Sequence, residues 1–285
     1  MKIVLSRKGF DASNGGHPSP ILPDGRLISL PIPHCDEISY SDLKLNRNMT
    51  YYDLMKELMP SIKSRGSLSP ERRPLTPDTT CHLDPDVYKD IFPRKKGWKP
   101  LFGQAGTAQN HLKKQGVGND DIFLFFGWFK KITRKNGNYE FETSQDLHVV
   151  FAYFQIGDII NIKSNTEFPE WIRYHPHVSG FRKRPKNNTI YIANESLSWD
   201  RHIPGAETLN FHQDLVLTKG GCSRSKWDLQ RFLRNIKISY HSVKSWKSDH
   251  FQSAARGQEF VIQDNEETEA WVKNLIKNNA QIKGE

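Results

Sequence analysis

This chain is poor in cysteine, has no long apolar run and shows no signal-peptide pattern. Its 3 cysteines, Cys35, Cys81 and Cys222, lie far apart and form no C-x-x-C pair, which argues against a disulfide framework and a cysteine-built zinc site. No stretch reaches the ~20 apolar residues that a membrane span needs. Charges arrive already at Arg7 and Lys8, before any apolar signal segment can form. We therefore expect a cytoplasmic protein without membrane contact.

Several common catalytic and phosphate-binding motifs are also missing. The segment GQAG at 103–106 precedes a helical pattern, and exposed amides at such a helix start can bind an anion. It lacks, however, the Gly-Lys-Ser/Thr end of a P-loop and the spacing of a dinucleotide fingerprint. No G-x-S-x-G elbow accompanies any serine. The sequence therefore leaves open whether the protein is an enzyme.

What the chain does have is positive charge interleaved with aromatic residues. The 285 residues carry a net charge of +9, the pI is near 9.3 and the mean hydropathy is -0.68. Such a balance favours a nucleic-acid or nucleotide partner. Lysine and arginine neutralise phosphates while aromatic rings stack bases, so three clusters predict nucleic-acid contact. Their candidate residues are Lys95, Lys96, Trp98, Trp128, Lys130, Lys131, Arg182 and Arg184. The alternative is that these cations are solvated hairpin tips and the rings belong to the core.

The apolar pattern predicts an α+β protein with a mixed, twisted or barrel-like central sheet and peripheral helices, in one domain over residues 1–285. Apolar runs without alternation indicate strands that are buried on both faces. The predicted strands lie at 1–5, 122–129, 147–156, 159–162, 189–193, 215–218 and 260–262, and the predicted helices at 40–59, 107–115 and 266–278. A turn is expected at 157–158, an exposed loop at about 61–80 and a frayed tail at 279–285.

The segment HLDPD at 82–86 is the best metal candidate. In an extended chain His82, Asp84 and Asp86 point to one side, because side chains alternate with period two. One imidazole and two carboxylates can hold a divalent cation, or serve as acid–base groups. The alternative is an ordinary turn and helix cap. In a second histidine pair, His175 and His177, packing and backbone hydrogen bonding are favoured over metal ligation.

The first predicted strand runs into the polar segment SRKGFD at 6–11, which suits a pocket at a sheet edge that faces an anion. The polar segment RGQE at 256–259 precedes a strand in the same way and can join the pocket. The alternative is a hairpin with a solvated loop. The complete set of catalytic candidates is Arg7, Lys8, Asp11, His82, Asp84, Asp86, Gln104, Arg256 and Glu259.

A series of motifs spans nearly the whole chain: SRKGFD at 6–11, PSPILPDG at 18–25, SLPIP at 29–33, HLDPD at 82–86, FGQAG at 102–106, QGVG at 115–118, FFGWF at 125–129, HPH at 175–177, NTIY at 188–191 and RGQEF at 256–260. As a set they resemble the bacterial and phage family called nucleotide modification associated domain, third type. The resemblance implies one continuous domain and an association with base-modification systems. The segments 121–129 and 148–156 also resemble the barrel strands of PUA-like modified-base readers.

These observations together predict recognition or processing of modified nucleotides in DNA or RNA, as part of a base-modification or defence system. Two alternatives stay open. One is a non-catalytic reader that flips a modified base into an aromatic pocket, and the other is a metal-dependent nuclease. A divalent metal is the one cofactor that the residues suggest.

Overall fold

A computed structural model describes residues 1–63, 72–179, 186–254 and 258–280 of the chain. Within these ranges the strands are, in chain order, β1 (Ile3–Arg7), β2 (Ser19–Ile21), β3 (Ile32–Pro33), β4 (Lys44–Asn46), β5 (Met49–Thr50), β6 (Ser61–Lys63), β7 (Arg72–Pro74), β8 (Cys81–His82), β9 (Leu101–Gln104), β10 (Ile122–Lys135), β11 (Asn138–Phe141), β12 (Leu147–Asn161), β13 (Thr189–Ala193), β14 (Ser196–Leu197), β15 (Asp200–Pro204), β16 (Ala206–Thr208), β17 (Lys226–Trp227), β18 (Phe251–Gln252) and β19 (Glu259–Ile262). The helices are α1 (Tyr51–Leu58), α2 (Gly106–Lys114) and α3 (Glu266–Asn279).

A mixed sheet of 9 strands forms the centre of the molecule, in the order β19-β1-β10-β12-β13-β9, with β2 and β11 added to β10 and β16 added to β12. The apolar runs of β10 and β12 are buried on both faces, as their lack of alternation predicts. The α+β prediction is confirmed. Among the described strands the sheet stays open and does not close into a barrel. The likeness to PUA-like readers stays a prediction.

Local capping decides where the helices begin. The predicted helix at 40–59 is wrong in its first half, where β4 and β5 form a hairpin. Helix α1 starts after this hairpin, because Thr50 and Asp53 form a reciprocal capping box. Helices α2 and α3 lie within one residue of their predicted bounds. No described helix has the length and apolar character that crossing a membrane requires.

Three other local predictions differ from the structure. The predicted strand at 215–218 does not form, because its start belongs to a 3-10 turn at Gln213–Leu215 and Val216 and Thr218 make only isolated bridges. Residues 157–158 make no turn, because β12 continues through them with a bulge and pairs with β13 beyond it. The expected loop at 61–80 contains the paired strands β6 and β7, while residues 64–71 lie outside the described ranges. The expected frayed tail likewise falls mostly outside them, at 281–285.

The site is positioned by an interruption along one side of β10. Both β1 and β2 pair in parallel with β10, β1 up to Phe126 and β2 from Phe129 onward. The chain leaves the sheet between them, opposite Gly127. A Cβ atom at Gly127 would lie 2.8 Å from the carbonyl oxygen of Lys8. Glycine is therefore required here, because it lets the end of β1 approach β10 closely enough for Lys8 to leave the sheet.

Candidate metal centre and active site

The end of β1 presents side chains to both faces of the sheet, because strand residues alternate. The Lys8 ammonium lies 4.3 Å from the ring centre of Phe102. The Arg7 guanidinium lies 5.7 Å from the ring centres of Phe126 and Phe260, on the other side. We call the side that holds Lys8 the histidine face and the side that holds Arg7 the arginine face. The expected single pocket is thus divided between two faces.

Two buried histidines on the histidine face are oriented by oxygen partners. His82 lies at the end of β8, with its Nδ1 2.9 Å from Oδ2 of Asp36. His177 has its Nδ1 2.6 Å from Oδ1 of Asn188, and Asn188 donates in turn to the His177 carbonyl at 2.8 Å. Both partners accept from Nδ1, which makes Nε2 the ligand nitrogen of each ring. Metal-binding histidines in proteins are commonly oriented in this way.

Asp84 completes the cluster. Its Oδ1 accepts a hydrogen bond from the Gly103 amide at 2.7 Å, and its Oδ2 lies 4.0 Å from Nε2 of His177. The potential ligand atoms of His82, Asp84 and His177 all lie within 4.8 Å of one another. A metal at bond lengths of about 2.1 Å separates its ligands by about 3 to 4 Å, so small side-chain movements suffice to bind one.

His175 lies behind Asp84 and is fully buried. Its Nδ1 accepts from the His177 amide at 3.4 Å, which places the ring hydrogen on Nε2. That nitrogen lies 3.3 Å from Oδ1 of Asp84, off the ideal hydrogen-bond direction. His175 therefore supports the carboxylate electrostatically and leaves the metal-facing positions to its neighbours.

The protonation states in this cluster suit metal binding. Burial alone would raise the pKa of Asp84, but the contact with His175 and the charges of His177 and Lys8 hold it well below its ordinary value. Burial lowers the pKa of His177 to about 4, against the opposing effect of Asp84. At neutral pH the carboxyl group is thus ionised and the His177 imidazole is neutral, which are the forms that bind metals.

A buried ion pair adjoins the cluster. The Lys8 Nζ lies 3.0 Å from Oε1 of Glu259, and the amide of Gln104 donates to the same oxygen at 2.6 Å. Glu259 is 1% exposed. Gln104 directly follows Gly103, whose amide binds Asp84. The structure therefore brings together five of the catalytic candidates, namely Lys8, His82, Asp84, Gln104 and Glu259.

The other catalytic candidates lie elsewhere. Asp86 does not join His82 and Asp84, because the chain bends at Pro85 and the period-two alternation ends there. Its carboxylate instead forms a two-point ion pair with Arg94. Asp11 accepts hydrogen bonds from residues of its own loop, and Arg256 lies outside the described residues.

The nucleic-acid candidates are scattered. Lys95 forms an ion pair with Glu170 on the surface, and Trp98 donates to the Tyr174 hydroxyl at 2.9 Å beside Asp86. Of the other candidate cations, Lys96 is exposed, Lys130 is half-buried, and Lys131 lies 5.3 Å from the ring centre of Phe211. Arg182 and Arg184 lie outside the described ranges.

One comparison with known proteins decides the family. The sequence model of the family described as nucleotide modification associated domain 3 matches residues 2–263. The chain belongs to this family. The match confirms the resemblance drawn from the motifs, and no curated protein and no solved structure matches the chain.

The part of the chain that matches nucleotide modification associated domain 3 contains the whole histidine cluster. Sequence reasoning missed some members of this cluster. It noticed the HPH motif but favoured packing for His175 and His177, and it overlooked Asp36 and Asn188. The available signal was that both histidine motifs belong to the family set. The contact itself depends on the close approach of the His177 ring to β9 and could not be inferred from spacing.

A large groove of this family member lies away from the cluster, and a small cavity touches the cluster only at Asp84. A small cavity of about 10 Å³, room for about one water molecule, lies between Asp84, Tyr88 and Phe151. A much larger groove of about 1240 Å³ shares only Tyr88 and Ile91 with it and contains none of the three potential metal ligands. Charged side chains such as Lys44, Asp90 and Glu207 line the groove, but none of them belongs to the histidine cluster. We assign the candidate centre by its convergent potential metal ligands rather than by cavity size.

Proposed function

We propose that this protein is an enzyme that processes modified nucleotides in DNA or RNA, at a divalent metal centre held by His82, Asp84 and His177. One observation carries the proposal: two buried imidazoles, each oriented through Nδ1 by an oxygen partner, meet one ionised carboxylate. Two nitrogens and one carboxylate leave coordination positions open for substrate and water. A metal bound there supplies Lewis acidity or an activated water.

The neighbouring residues have separate parts in this proposal. The Lys8 ammonium can orient an anionic or carbonyl oxygen of the substrate, since it is held in place over Phe102 by Glu259. The carboxylate of Glu259 can hold or release a proton on the same side of the sheet. Gln104 fixes the orientation of that carboxylate. This set of groups is better suited to catalysing a reaction on a nucleotide than to binding it passively.

Metal titration tests the centre directly. Chelator-treated protein is titrated with Mn²⁺, Fe²⁺ and Zn²⁺ by calorimetry, for wild type, Asp84→Asn and His177→Gln. We expect both variants to lose at least tenfold in affinity, because each removes a ligand. His34→Gln is the matched control, since His34 also contacts Asp36, at 3.1 Å, but lies outside the ligand set. Wild-type affinity in His177→Gln would contradict the proposal.

Activity measurements separate the alternatives. Mass spectrometry of nucleosides from DNA and tRNA incubated with the metal-loaded protein reports modification, while gel analysis of the polymers reports cleavage. Altered nucleosides lost in Asp84→Asn support the proposed enzyme, whereas cut polymers support a nuclease. Binding without either product supports a reader. The reader has less structural support, because the Trp128 ring is already covered by Arg224 at 3.9 Å.

A further inference from the structure

On the arginine face, the guanidinium of Arg224 lies flat over a tryptophan. Its carbon atom is 3.9 Å from the ring centre of Trp128, and the Trp128 indole donates to Asp146 at 3.1 Å. Among the contacts of the described residues, no acceptor takes a hydrogen bond from this guanidinium and no carboxylate lies within ion-pair distance. Stacking thus fixes the plane of the group while its N–H donors, which lie around the edge of that plane, stay available.

Arg7 lies beside it on the same face. Arg7 pairs with Phe126 in the sheet, and its guanidinium donates to the Ala254 carbonyl at 2.9 Å. Trp128 follows Phe126 by two residues on β10, so their side chains share one face about 6.6 Å apart. Two guanidinium groups are therefore held next to each other, each over an aromatic ring of the same strand.

Among the described residues, carboxylates compensate the charge of Arg224 only from a distance. Asp11 already accepts hydrogen bonds from the amides of Ser13 and Asn14, at 2.6 and 2.7 Å. Burial lowers the pKa of Arg224, against the opposing charges of Asp146 and Asp11. Burial also lowers the pKa of Arg7, against the opposing charge of Asp11 and together with the charge of Arg224. The Arg224 guanidinium has thus lost part of its hydration without gaining a close counter-ion among the described residues, and Arg7 places a second partly buried cation beside it.

We propose that Arg7 and Arg224 together bind a phosphate group, with Trp128 as the residue that positions Arg224. Paired guanidinium groups match the oxygens of a phosphate, and partial desolvation strengthens such hydrogen bonds. The site goes beyond the proposed catalytic function, because it lies on the opposite face of the sheet from the metal centre. The phosphate can belong to a nucleic-acid backbone or to a free nucleotide.

Calorimetry with three probes tests the site: inorganic phosphate, a deoxynucleoside monophosphate and a 12-nucleotide single-stranded DNA. We expect Arg224→Gln to lose at least tenfold in affinity for the preferred probe and to lower the salt slope of DNA binding by about 1. Arg201→Gln, at an exposed arginine, is the matched control and should change affinity less than twofold. A loss confined to the DNA identifies a backbone site, and a loss for all three probes identifies a free phosphate or nucleotide site.

A double mutant separates positioning from direct base stacking. If Trp128 acts through Arg224, Trp128→Leu weakens binding in the wild type but adds nothing to Arg224→Gln. A further loss in the double mutant would mean that Trp128 contacts the ligand itself, which overturns its assigned role. Unchanged binding of all three probes by Arg224→Gln would overturn the site. Metal affinity, measured in the same variants, should stay at the wild-type value, so this test is independent of the metal centre.

Discussion

Asp84 and Asp86 stand two residues apart and have entirely different partners. Asp86 is fully buried, and its two oxygens accept hydrogen bonds from Arg94 at 2.7 and 2.6 Å. The Tyr174 hydroxyl and the Trp98 indole donate to the same carboxylate. Both carboxylate oxygens of Asp86 are thus engaged. Asp86 holds the segment after β8 in place, which indirectly fixes the position of Asp84.

Replacing Asp86 tests this division of roles. We expect Asp86→Asn to lower the free energy of unfolding by about 3 kcal/mol, because it leaves the half-buried Arg94 without its buried counter-ion. Urea denaturation measures the loss, with the exposed neighbour Asp90→Asn as control. The folded variant should still bind metal. Normal stability combined with lost metal binding would instead identify Asp86 as a ligand.

His148 makes the protein sensitive to acid. It is buried, accepts a hydrogen bond from the Trp227 indole at 3.0 Å and faces the cations Arg7 and Arg224. Burial, followed by those two charges, lowers its pKa from 6.5 to about 3. At a pH between these two pKa values, His148 binds a proton in the unfolded chain but not in the folded protein. Stability therefore falls as the pH drops from 6.5 toward 3.

The expected size of this effect is about 2 kcal/mol between pH 6.5 and pH 5, at 1.36 kcal/mol per pH unit. Urea denaturation at several pH values measures it. His148→Gln keeps an acceptor for the indole and should flatten the profile in this window. His202→Gln, at an exposed histidine, should leave it unchanged. An identical acid loss in His148→Gln would show that another group is responsible.

At the scale of elements, the edge strand β9 supports the metal cluster from beneath. The Gly103 amide binds Asp84 at 2.7 Å, and a Cβ atom at Gly103 would lie 2.4 Å from the ring of His177. The ring thus rests directly on the backbone of the strand. Because Gly103 has no side chain, its backbone can contact both Asp84 and the ring of His177.

Gly103→Ala should therefore displace His177. We expect metal affinity to fall at least tenfold, while the free energy of unfolding falls by about 1 to 3 kcal/mol. Calorimetry and urea denaturation measure the two effects. Gly118→Ala is the control, since no atom lies within 4 Å of the added methyl group there. Full metal affinity in Gly103→Ala would mean that the His177 ring is not held by this contact.

The elements that sequence reasoning predicted well are those whose signal is local. The runs at 122–129 and 147–156 are uniformly apolar, and α2 and α3 have regular patterns and clear ends. The hairpin before α1 was missed because its apolar spacing resembles a helix. The histidine cluster was half predicted: His82 and Asp84 lie in one short motif, whereas His177 reaches them only through the approach to Gly103. A contact between residues that are distant in sequence produces no regular spacing from which it could be predicted.

At the scale of the whole molecule, the two ends of the described chain meet in the central sheet. Strand β1 pairs with β10 on one side and with β19 on the other, with Ser6 opposite Glu259. The ion pair between Lys8 and Glu259 is therefore formed by residues that are far apart in sequence. The site exists only when both ends are folded together.

Truncation tests this dependence. A chain of residues 1–258 lacks β19 and α3, which leaves the backbone of β1 unpaired along one edge. We expect it to lose its cooperative thermal transition and to aggregate. A chain of residues 1–280 keeps every element among the described residues and should unfold like the full chain. Circular dichroism during heating distinguishes them. A cooperative transition in the shorter chain would show that the sheet is stable without its edge strand.

The alternation at the end of β1 has a genetic consequence. If the two proposed sites hold, adjacent codons, 7 and 8, encode cations that serve different sites, and we expect the two positions to respond to selection separately. A screen for nucleic-acid capture should recover losses at Arg7 and tolerate changes at Lys8, whereas a screen for metal-dependent turnover should recover losses at Lys8. Exchanging the two by Arg7→Lys and Lys8→Arg preserves both composition and net charge, yet it should fail in both screens.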